Sequence, residues 1–230
     1  MKTLILQLVG PIQSWGTTTR YGDFSRDTDM IPSKAGVVGL LASALGRSRF
    51  DDVSDIAALH MAVRVDSRGV RFRDYHTAHG TKSAEAYVTR RYYLSDAKFV
   101  VALSGDDDLI FMLAEAVQMP CRPLYLGRRS NIPSVPLFLG VSDDSAEDAL
   151  CSVGVMTDDN LRRMFFGIRR FDVWRDVLPD DDIGSCITVK DVPLSFGPVR
   201  SYGYRNIVRD YVDVGFSSSD HDPVSVIEEM

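Results

Sequence analysis

The sequence predicts an α+β fold, and three observations lead to this prediction. Residues 3–10 form a mostly apolar run with the length and branched side chains of a buried strand. Residues 32–46 carry apolar side chains at three- and four-residue steps, the spacing of a helix with one buried face. Strand-like and helix-like segments then follow up to about residue 140. Their order is a βαββαβ pattern with an inserted hairpin, which is the ferredoxin-like arrangement.

The predicted helix at residues 32–46 has boundary residues at both ends. The hydroxyl of Ser33 can accept a hydrogen bond from a backbone amide of the first turn, and Gly46 suits the left-handed residue after the last turn. Gly36 and Gly39 each lower the helix propensity by about 1 kcal/mol relative to alanine. Two such residues predict that another stretch of backbone lies close to this helix.

The remaining elements follow from the same patterns. A short helix is expected at residues 51–60 and a strand at 61–66. Residues 71–94, approximately, have aromatic and β-branched residues at both ends and small polar residues between, as in an extended hairpin. A strand at 94–104 and a helix at 109–119 come next, with Asp106 to Asp108 before the helix and Pro120 after it.

The loop of residues 127–134 lies between two further strand-like runs, at residues 124–126 and 137–140. These elements predict a body at residues 1–145 that includes the hairpin. Residues 146–216 alternate short apolar runs with Pro and Gly turns and predict a β-rich C-terminal part packed on the body. Residues 217–230 are expected to be a loose acidic tail.

Composition narrows the class of protein. The chain has 230 residues, of which 45% are hydrophobic and 25% are charged, as in ordinary soluble globular proteins. No signal sequence and no apolar run near twenty residues are present, which argues against secretion and against a membrane span. The three cysteines are far apart, so we expect them to be reduced and the protein to be cytoplasmic.

Charge is distributed unevenly along the chain. The net charge of −6 argues against a general nucleic-acid binder, which is usually basic. Between Arg64 and Lys98, however, eight basic residues stand against four acidic ones. This segment predicts local anion binding within an acidic protein, and a solvated charged face is the alternative.

Three short motifs are candidates for nucleic-acid binding. Gly127, Arg128, Arg129 and Ser130 combine a flexible backbone, two guanidinium groups and a hydroxyl, which suits a phosphate, although a surface ion pair is equally compatible. The pair Arg90 and Arg91 precedes two tyrosines, and single-stranded nucleic acid needs both cations and aromatic faces. Plain strands also contain such pairs. Trp15 can stack on a base or close the end of the sheet.

No metal or cofactor is expected. His76 and His79 lie in the predicted hairpin without cysteines or an HExxH motif, so they do not form a zinc signature. The sequence has no Walker lysine motif, no GxGxxG and no GxSxG, which leaves nucleotide hydrolysis, dinucleotide chemistry and serine hydrolysis without support.

One group of residues has the side-chain types of a metal-independent ribonuclease. Tyr75, His76, His79 and Lys82 lie together in the hairpin. RNA cleavage of this type needs a base for the 2′-hydroxyl, an acid for the leaving 5′-oxygen and a cation for the charged intermediate. The sequence alone leaves their relative geometry open.

Five blocks, in order, resemble the CasD family, the fifth-type Cas subunits of the type I-E CRISPR Cascade complex. They are residues 6–16, 32–46, 73–77, 93–99 and 125–140. The resemblance extends over about residues 3–140 and is only general beyond. One position departs from the family pattern, because Asn131 stands where the family often has cysteine. The resemblance therefore implies the role of the loop but not the exact contact made at residue 131.

The resemblance implies a RAMP-type protein. Its body would be of the RNA-recognition-motif type, with the hairpin as a protruding thumb. It also implies a non-catalytic subunit that grips the 5′ handle of the CRISPR RNA and caps the complex in antiviral defence. The implied partners are the CasC backbone subunit, the CasA large subunit and, through the complex, target DNA. The RNA-binding residues implied by position are Gln13, Ser14, Trp15, Gly16, Ser33, Lys34, His76, Lys82, Arg90, Arg91, Gly127, Arg128, Arg129 and Ser130.

An enzymatic alternative stays open at this stage. In the related subtype I-C, the fifth-type subunit is itself the metal-independent endoribonuclease that cuts CRISPR repeat RNA. If this chain resembled that form, Tyr75, His76 and Lys82 would be its catalytic residues. The sequence blocks resemble the I-E form and favour a binding subunit.

Overall fold

The computed structural model describes residues 1–16, 25–79, 86–155 and 170–214. The fold is mixed and rich in strands, with few helices, which agrees with the predicted α+β class. Its centre is an antiparallel seven-stranded sheet in the order β10-β11-β9-β4-β7-β1-β8. The strands are β1 (Lys2–Val9), β4 (His60–Ser67), β7 (Lys98–Gly105), β8 (Phe138–Ser142), β9 (Arg170–Asp176), β10 (Ile187–Ser195) and β11 (Ser201–Asp213).

A second, smaller sheet is built on the hairpin. Strands β5 (Val70–His79) and β6 (Ala86–Ser95) pair antiparallel, which confirms an extended hairpin in the predicted region. The free edge of β6 pairs with two short strands, β2 (Ile12–Gln13) and β3 (Ser25–Arg26). These strands connect the hairpin to the segment that follows β1. Lys82 lies outside the described residues, and so does the side chain of His79.

Helices cover both faces of the large sheet. One face is covered by three helices, α1 (Lys34–Ala44), α2 (Ser54–Ala57) and α3 (Asp107–Gln118), which share a core with alternate residues of β1. The opposite face is covered by α4 (Ala146–Ser152), which belongs to a second core. Leu4, Leu6 and Leu8 face the first core and Ile5 faces the second, because successive side chains in a strand point to opposite faces. No helix in the described ranges is long and apolar enough to cross a membrane.

The predicted helix boundaries hold for α1 and α3. The hydroxyl of Ser33 accepts a hydrogen bond from the amide of Gly36 at 3.3 Å, and Gly46 has a φ of +80°. Asp106 caps α3 through the amides of Asp108 and Leu109. Helix α2 is shorter than predicted, because the carboxylates of Asp51 and Asp52 bind nearby serines and compete with helical hydrogen bonds.

The C-terminal strands extend the central sheet. Strand β9 pairs with β4 of the body, and β11 and β10 follow outward. Next to this junction, buried charges connect α1 to the C-terminal strands. The amide of Lys34 donates to the Asp191 carboxylate at 2.7 Å, and its ammonium lies 2.9 Å from Asp176. Arg205 binds both of these aspartates.

The charges at this junction determine the ionisation of Asp176. Burial favours the neutral form of its carboxyl group. The charges of Lys34 and Arg205 outweigh that effect, so the pKa of Asp176 lies below its ordinary value. The carboxylate therefore stays ionised at neutral pH and keeps both ion pairs.

Candidate nucleic-acid interface

A cleft of about 640 Å³ opens between α1 and two segments that are distant from it in sequence. One wall is residues 122–129 and another is residues 196–202. The described residues that line it include no aspartate or glutamate and five arginines: Arg47, Arg49, Arg122, Arg129 and Arg200. A concave surface with this composition attracts polyanions, although the chain as a whole carries a net charge of −6.

The arginines of this cleft differ in how they are held. Arg122 donates to the carbonyls of Gly46 and Arg47 after the end of α1, and Arg47 pairs with Asp55. Arg49, Arg129 and Arg200 are exposed, and none of them forms an ion pair with a described residue. Within the described part of the chain, these three guanidinium groups are therefore available to an anionic ligand.

Helix α1 forms the floor of the cleft with its small residues, which include Gly36, Gly39 and Ser43. A Cβ atom at Gly36 would lie 2.7 Å from the indole ring of Trp15, whereas one at Gly39 would meet only the ring of Phe196 at 3.5 Å. The prediction that another backbone lies against these glycines is therefore wrong. The missing side chain of Gly36 leaves room for the Trp15 ring, and that of Gly39 leaves more space in the cleft.

The arginine-rich loop at residues 127–130 is held rigidly against β2. Gly127 has a φ of +93°, and a Cβ atom there would lie 1.6 Å from the carbonyl oxygen of Ser14. The carbonyl of Leu126 accepts hydrogen bonds from the amide of Ser14 and from the side chain of Asn131. The strand predicted at residues 124–126 is wrong: the amide of Leu126 donates to the carbonyl of Asn131 and the amide of Asn131 donates to that of Arg128, so the chain turns here. Asn131 is buried and closes the loop internally, and Arg129 and Ser130 remain exposed.

The segment Gln13 to Gly16 packs inside the protein except at its last residue. The side chain of Gln13 is buried and binds the carbonyls of Leu8 and Ala97, and it accepts from the indole of Trp15 at 2.9 Å. Trp15 is only 1% exposed. It therefore closes the end of the sheet, and the alternative that it stacks on a base is wrong. Ser14 and Gly16 line the cleft, and Gly16 is exposed.

Ser33 and Lys34 lie at the start of α1, and both are occupied. Ser33 is the N-cap, and the Lys34 ammonium is paired with Asp176 at a side-chain exposure of 8%. The Asp191 carboxylate takes the position that a phosphate would have at the helix N-terminus. A phosphate there would have to displace an internal carboxylate, so we leave both residues out of the proposed interface.

The hairpin has two chemically different faces. Because opposed residues of an antiparallel pair share a face, Arg71, Arg73 and Tyr75 lie on the same side as Arg90 and Tyr92. Arg71 lies 4.4 Å from the ring of Tyr92, and Arg73 lies 4.7 Å from the ring of Tyr75. We call this the basic–aromatic face. It supplies cations and rings together, as single-stranded nucleic acid requires.

The other face of the hairpin packs on the body. Phe72 stacks on Tyr93 with ring centroids 5.4 Å apart, and Tyr93 is 4% exposed beneath the guanidinium of Arg128. Tyr93 is therefore not free to stack on a base, whereas Tyr75 is half exposed. Arg91 also lies on this inner face, beside Arg26 of β3.

The predicted catalytic residues do not share one face. Tyr75 and His76 are neighbours in β5, so their side chains project to opposite sides of the hairpin. Nε2 of His76 lies against the carboxylate of Asp74, on the inner side. Lys82 is outside the described residues. The described ranges contain no group of three or more acidic, histidine or cysteine side chains that could hold a metal ion.

Four arginines of this region are not among the binding residues that the sequence predicts. Arg26, Arg47, Arg49 and Arg200 were not predicted as binding residues, although three of them precede or follow the recognised blocks closely. No local pattern identifies them, because only the folded chain brings residue 200 next to residues 47 and 129. Conversely, Arg64 of the basic segment is fully buried and paired with Asp66.

Comparisons with known proteins agree on one family. The family model described as CRISPR-associated protein (Cas_Cas5) matches residues 3–208. The CRISPR system Cascade subunit CasD of Escherichia coli (strain K12) is 40% identical over 164 residues, which cover 62% of this chain and 72% of that protein.

Two solved structures are similar over most of the chain. One, described as a crystal structure of a Cas protein, has a TM-score of 0.73 at 35% identity, over 94% of this chain and 100% of that one. A chain of a CRISPR RNA-guided surveillance complex has a TM-score of 0.70 at 28% identity, over 92% of this chain and 90% of that one. From the match over residues 3–208 and these relatives, it follows that this chain belongs to the Cas_Cas5 family of CRISPR-associated proteins.

Proposed function

We propose that this protein is a CRISPR RNA-binding subunit of a type I-E Cascade surveillance complex and acts in antiviral defence. It would grip the 5′ handle of the CRISPR RNA and cap the end of the complex. The observation that carries the proposal is the cleft: where the structure describes its lining, five arginines and no carboxylate are found, in a protein whose net charge is −6. The relationship to CasD supports the same conclusion.

The RNA would contact two adjoining surfaces. Arg49, Arg129 and Arg200 of the cleft offer unpaired guanidinium groups to phosphates, and backbone groups of Gly16 and Gly127 lie at the same opening. The basic–aromatic face of the hairpin, with Arg90 and Tyr75, would bind the backbone and stack on bases. Arginine suits both tasks, because its planar fork binds phosphate through two bonds and stacks on rings.

The finer description of the fold belongs to the same proposal. The strand order β4-β7-β1-β8, with α1 and α3 as crossovers, supports a ferredoxin-like body of the RAMP type. The exposed hairpin between β4 and β7 supports the role of a thumb. The division into a body at 1–145, a C-terminal part at 146–216 and a tail at 217–230 remains our working description.

Partners and compartment follow from the relatives. A position at the end of a Cascade complex would place CasC beside the hairpin and CasA nearby, and target DNA would be met through the assembled complex. A cytoplasmic location suits a subunit of such a complex. The relative found in a CRISPR RNA-guided surveillance complex supports this assignment.

We propose a non-catalytic role. A metal-independent nuclease would need its acid and base at a single phosphate, and Tyr75 and His76 project from opposite sides of the hairpin. His76 also engages Asp74. These contacts favour binding over cleavage, and the endoribonuclease alternative is tested directly below.

The test is a gel with end-labelled CRISPR repeat RNA and the purified complex in EDTA, in which band shift and cleavage are observed on one sample. We expect a shift that depends on the handle sequence, with no cut product. Repeat RNA with a scrambled handle is the matched control. A single specific cut without metal would make the protein an endoribonuclease and contradict the proposal, as would equal affinity for the scrambled RNA.

A further inference from the structure

Three arginines from separate segments meet on the inner face of the hairpin. Arg26 of β3 and Arg91 of β6 are direct neighbours in a parallel ladder. Arg128, from the loop at 127–130, donates to the backbone carbonyl of Arg26 at 3.1 Å. We call these three residues the arginine triad. Only the fold brings them together, because more than sixty positions of sequence separate Arg26 from Arg91.

The triad contains buried donors that no described residue satisfies. Nε of Arg91 and Nη1 of Arg128 are both buried, and no group of the described residues accepts a hydrogen bond from either. Asp74 lies opposite Arg91 in the hairpin ladder but has its ion pair with His76. Buried donors without acceptors destabilise a fold, so their presence indicates a ligand that carries the acceptors.

The three positive charges of the triad also repel one another. Burial lowers the pKa of Arg26, and the charges of Arg91, Arg128 and Arg200 lower it further. An anion bound among the guanidinium groups would remove this repulsion.

The triad is held in place before any ligand binds. The guanidinium of Arg128 lies 4.4 Å from the centre of the Tyr93 ring, which is buried and stacked on Phe72. The loop that carries Arg128 is fixed by the close approach of Gly127 to Ser14. A site with this rigidity loses little side-chain freedom when it binds.

We propose that Arg26, Arg91 and Arg128 together bind one phosphodiester group of the RNA. The proposal rests on the proposed function and specifies which part of the RNA this site takes. The non-bridging oxygens of one phosphate accept several hydrogen bonds, and arginine forks match their geometry. The site would hold one backbone linkage between the hairpin and the 127–130 loop and would not distinguish bases, since Tyr93 is covered.

The first experiment measures how the affinity of the complex for CRISPR RNA changes with salt. The variants are Arg26→Gln, Arg91→Gln, Arg128→Gln and the double variant Arg26→Gln/Arg128→Gln, each assembled in the complex. Losing one phosphate contact on a single strand should reduce the slope of log K against log salt by about 0.7. If all three bind one phosphate, the double variant should lose no more than this single-contact amount in total.

Two further variants control this measurement. Arg68→Gln removes an exposed arginine that pairs with Asp172, and it should leave the slope unchanged. Arg128→Lys keeps the charge but loses the fork, so we expect weaker binding with an unchanged slope. The second result separates lost phosphate geometry from lost charge, and a slope that falls for Arg128→Lys would contradict the proposal.

A second experiment locates the phosphate. Synthetic CRISPR RNAs carry a methylphosphonate, which lacks the charge, at one linkage of the 5′ portion at a time. At one linkage, the loss of affinity seen with the wild-type complex should be clearly smaller in Arg26→Gln, whereas linkages bound elsewhere should weaken both complexes equally. Additive slopes, or no such linkage, would overturn the single-phosphate site. Failure of the wild-type complex to retain any CRISPR RNA would overturn the proposed function as well.

Discussion

The arginines of the cleft and those of the C-terminal strands are the same residue type in opposite circumstances. Arg175, Arg205 and Arg209 of the C-terminal strands each bind aspartates, and Arg205 is 10% exposed between two of them. Arg49, Arg129 and Arg200 of the cleft form no ion pair with a described residue. Paired guanidinium groups hold strands together, whereas unpaired ones are available for an anion. Among these six arginines, the presence of an acidic neighbour in the described part of the chain separates the structural ones from the candidate binding ones.

The largest effect is expected from breaking a buried pair. Arg205→Met would leave Asp191 without its guanidinium partner and Asp176 with Lys34 alone. Removing one member of a buried ion pair typically destabilises a protein by about 3–5 kcal/mol. Chemical denaturation of the purified chain measures the free energy of unfolding.

Arg200→Met is the matched control for this variant. Arg200 lies five residues away, is exposed and has no ion pair among the described residues. An exposed substitution of this kind changes stability by about 0.5 kcal/mol or less. Equal losses of stability in the two variants would remove the distinction between paired and unpaired arginines.

Charge reversal in the cleft should act on RNA and leave the fold unchanged. For Arg129→Glu we expect CRISPR RNA affinity to fall about ten- to a hundredfold, since a hydrogen bond to a charged group contributes about 1.5–3 kcal/mol. The measurement is the amount of CRISPR RNA that copurifies with the complex, followed by titration. Arg68→Glu, outside the cleft, is the control, and an equal loss there would indicate a general charge effect.

The two glycines of α1 provide a smaller and sharper comparison. Gly39→Ala should raise the free energy of unfolding by about 1 kcal/mol through helix propensity, because its methyl group meets only Phe196 at 3.5 Å. The same methyl group raises the cleft floor, so RNA affinity should fall while stability rises. Gly36→Ala should lower stability instead, because its Cβ atom would lie 2.7 Å from the Trp15 ring. Thermal unfolding and RNA titration of both variants test the pair.

The smallest expected effect is a pH dependence of the free energy of unfolding, which arises from an aspartate that pairs with one of these structural arginines. Hydrogen bonds from Arg175 lower the pKa of Asp181 from 3.8 to about 2. Because the folded-state pKa is depressed, this pair stabilises the fold fully above the unfolded-state value, and the contribution disappears as pH falls from 3.8 towards 2. Asp181→Asn should flatten the acid side of the stability profile measured by urea denaturation. An unchanged profile would show that Asp181 does not contribute.

Much of the site was within reach of sequence reasoning, and its errors have a common cause. The loop at 127–130 and the pair Arg90 and Arg91 lie at or beside the surfaces that we propose bind RNA. Trp15, Ser33 and Lys34 were assigned to RNA, and the structure uses them internally. Lys34 has its partners far away in sequence, Asp176 and Asp191, and a local pattern does not show them. Trp15 is buried by tertiary packing, which a local pattern does not show either.

The sequence by itself determined the local elements. Ser33 and Gly46 set the ends of α1, Asp106 sets the start of α3, and alternation with small central residues sets the hairpin, because caps and periodicity act within a few residues. Tertiary structure decided which aspartates surround Arg205, since Asp191 and Asp176 lie 14 and 29 positions away from it. It also placed Arg200 and Arg129 in the lining of one cleft, and Arg26 beside Arg91 and Arg128. Electrostatic pairing depends on distance in space, and here that distance is set by how strands far apart in sequence come together.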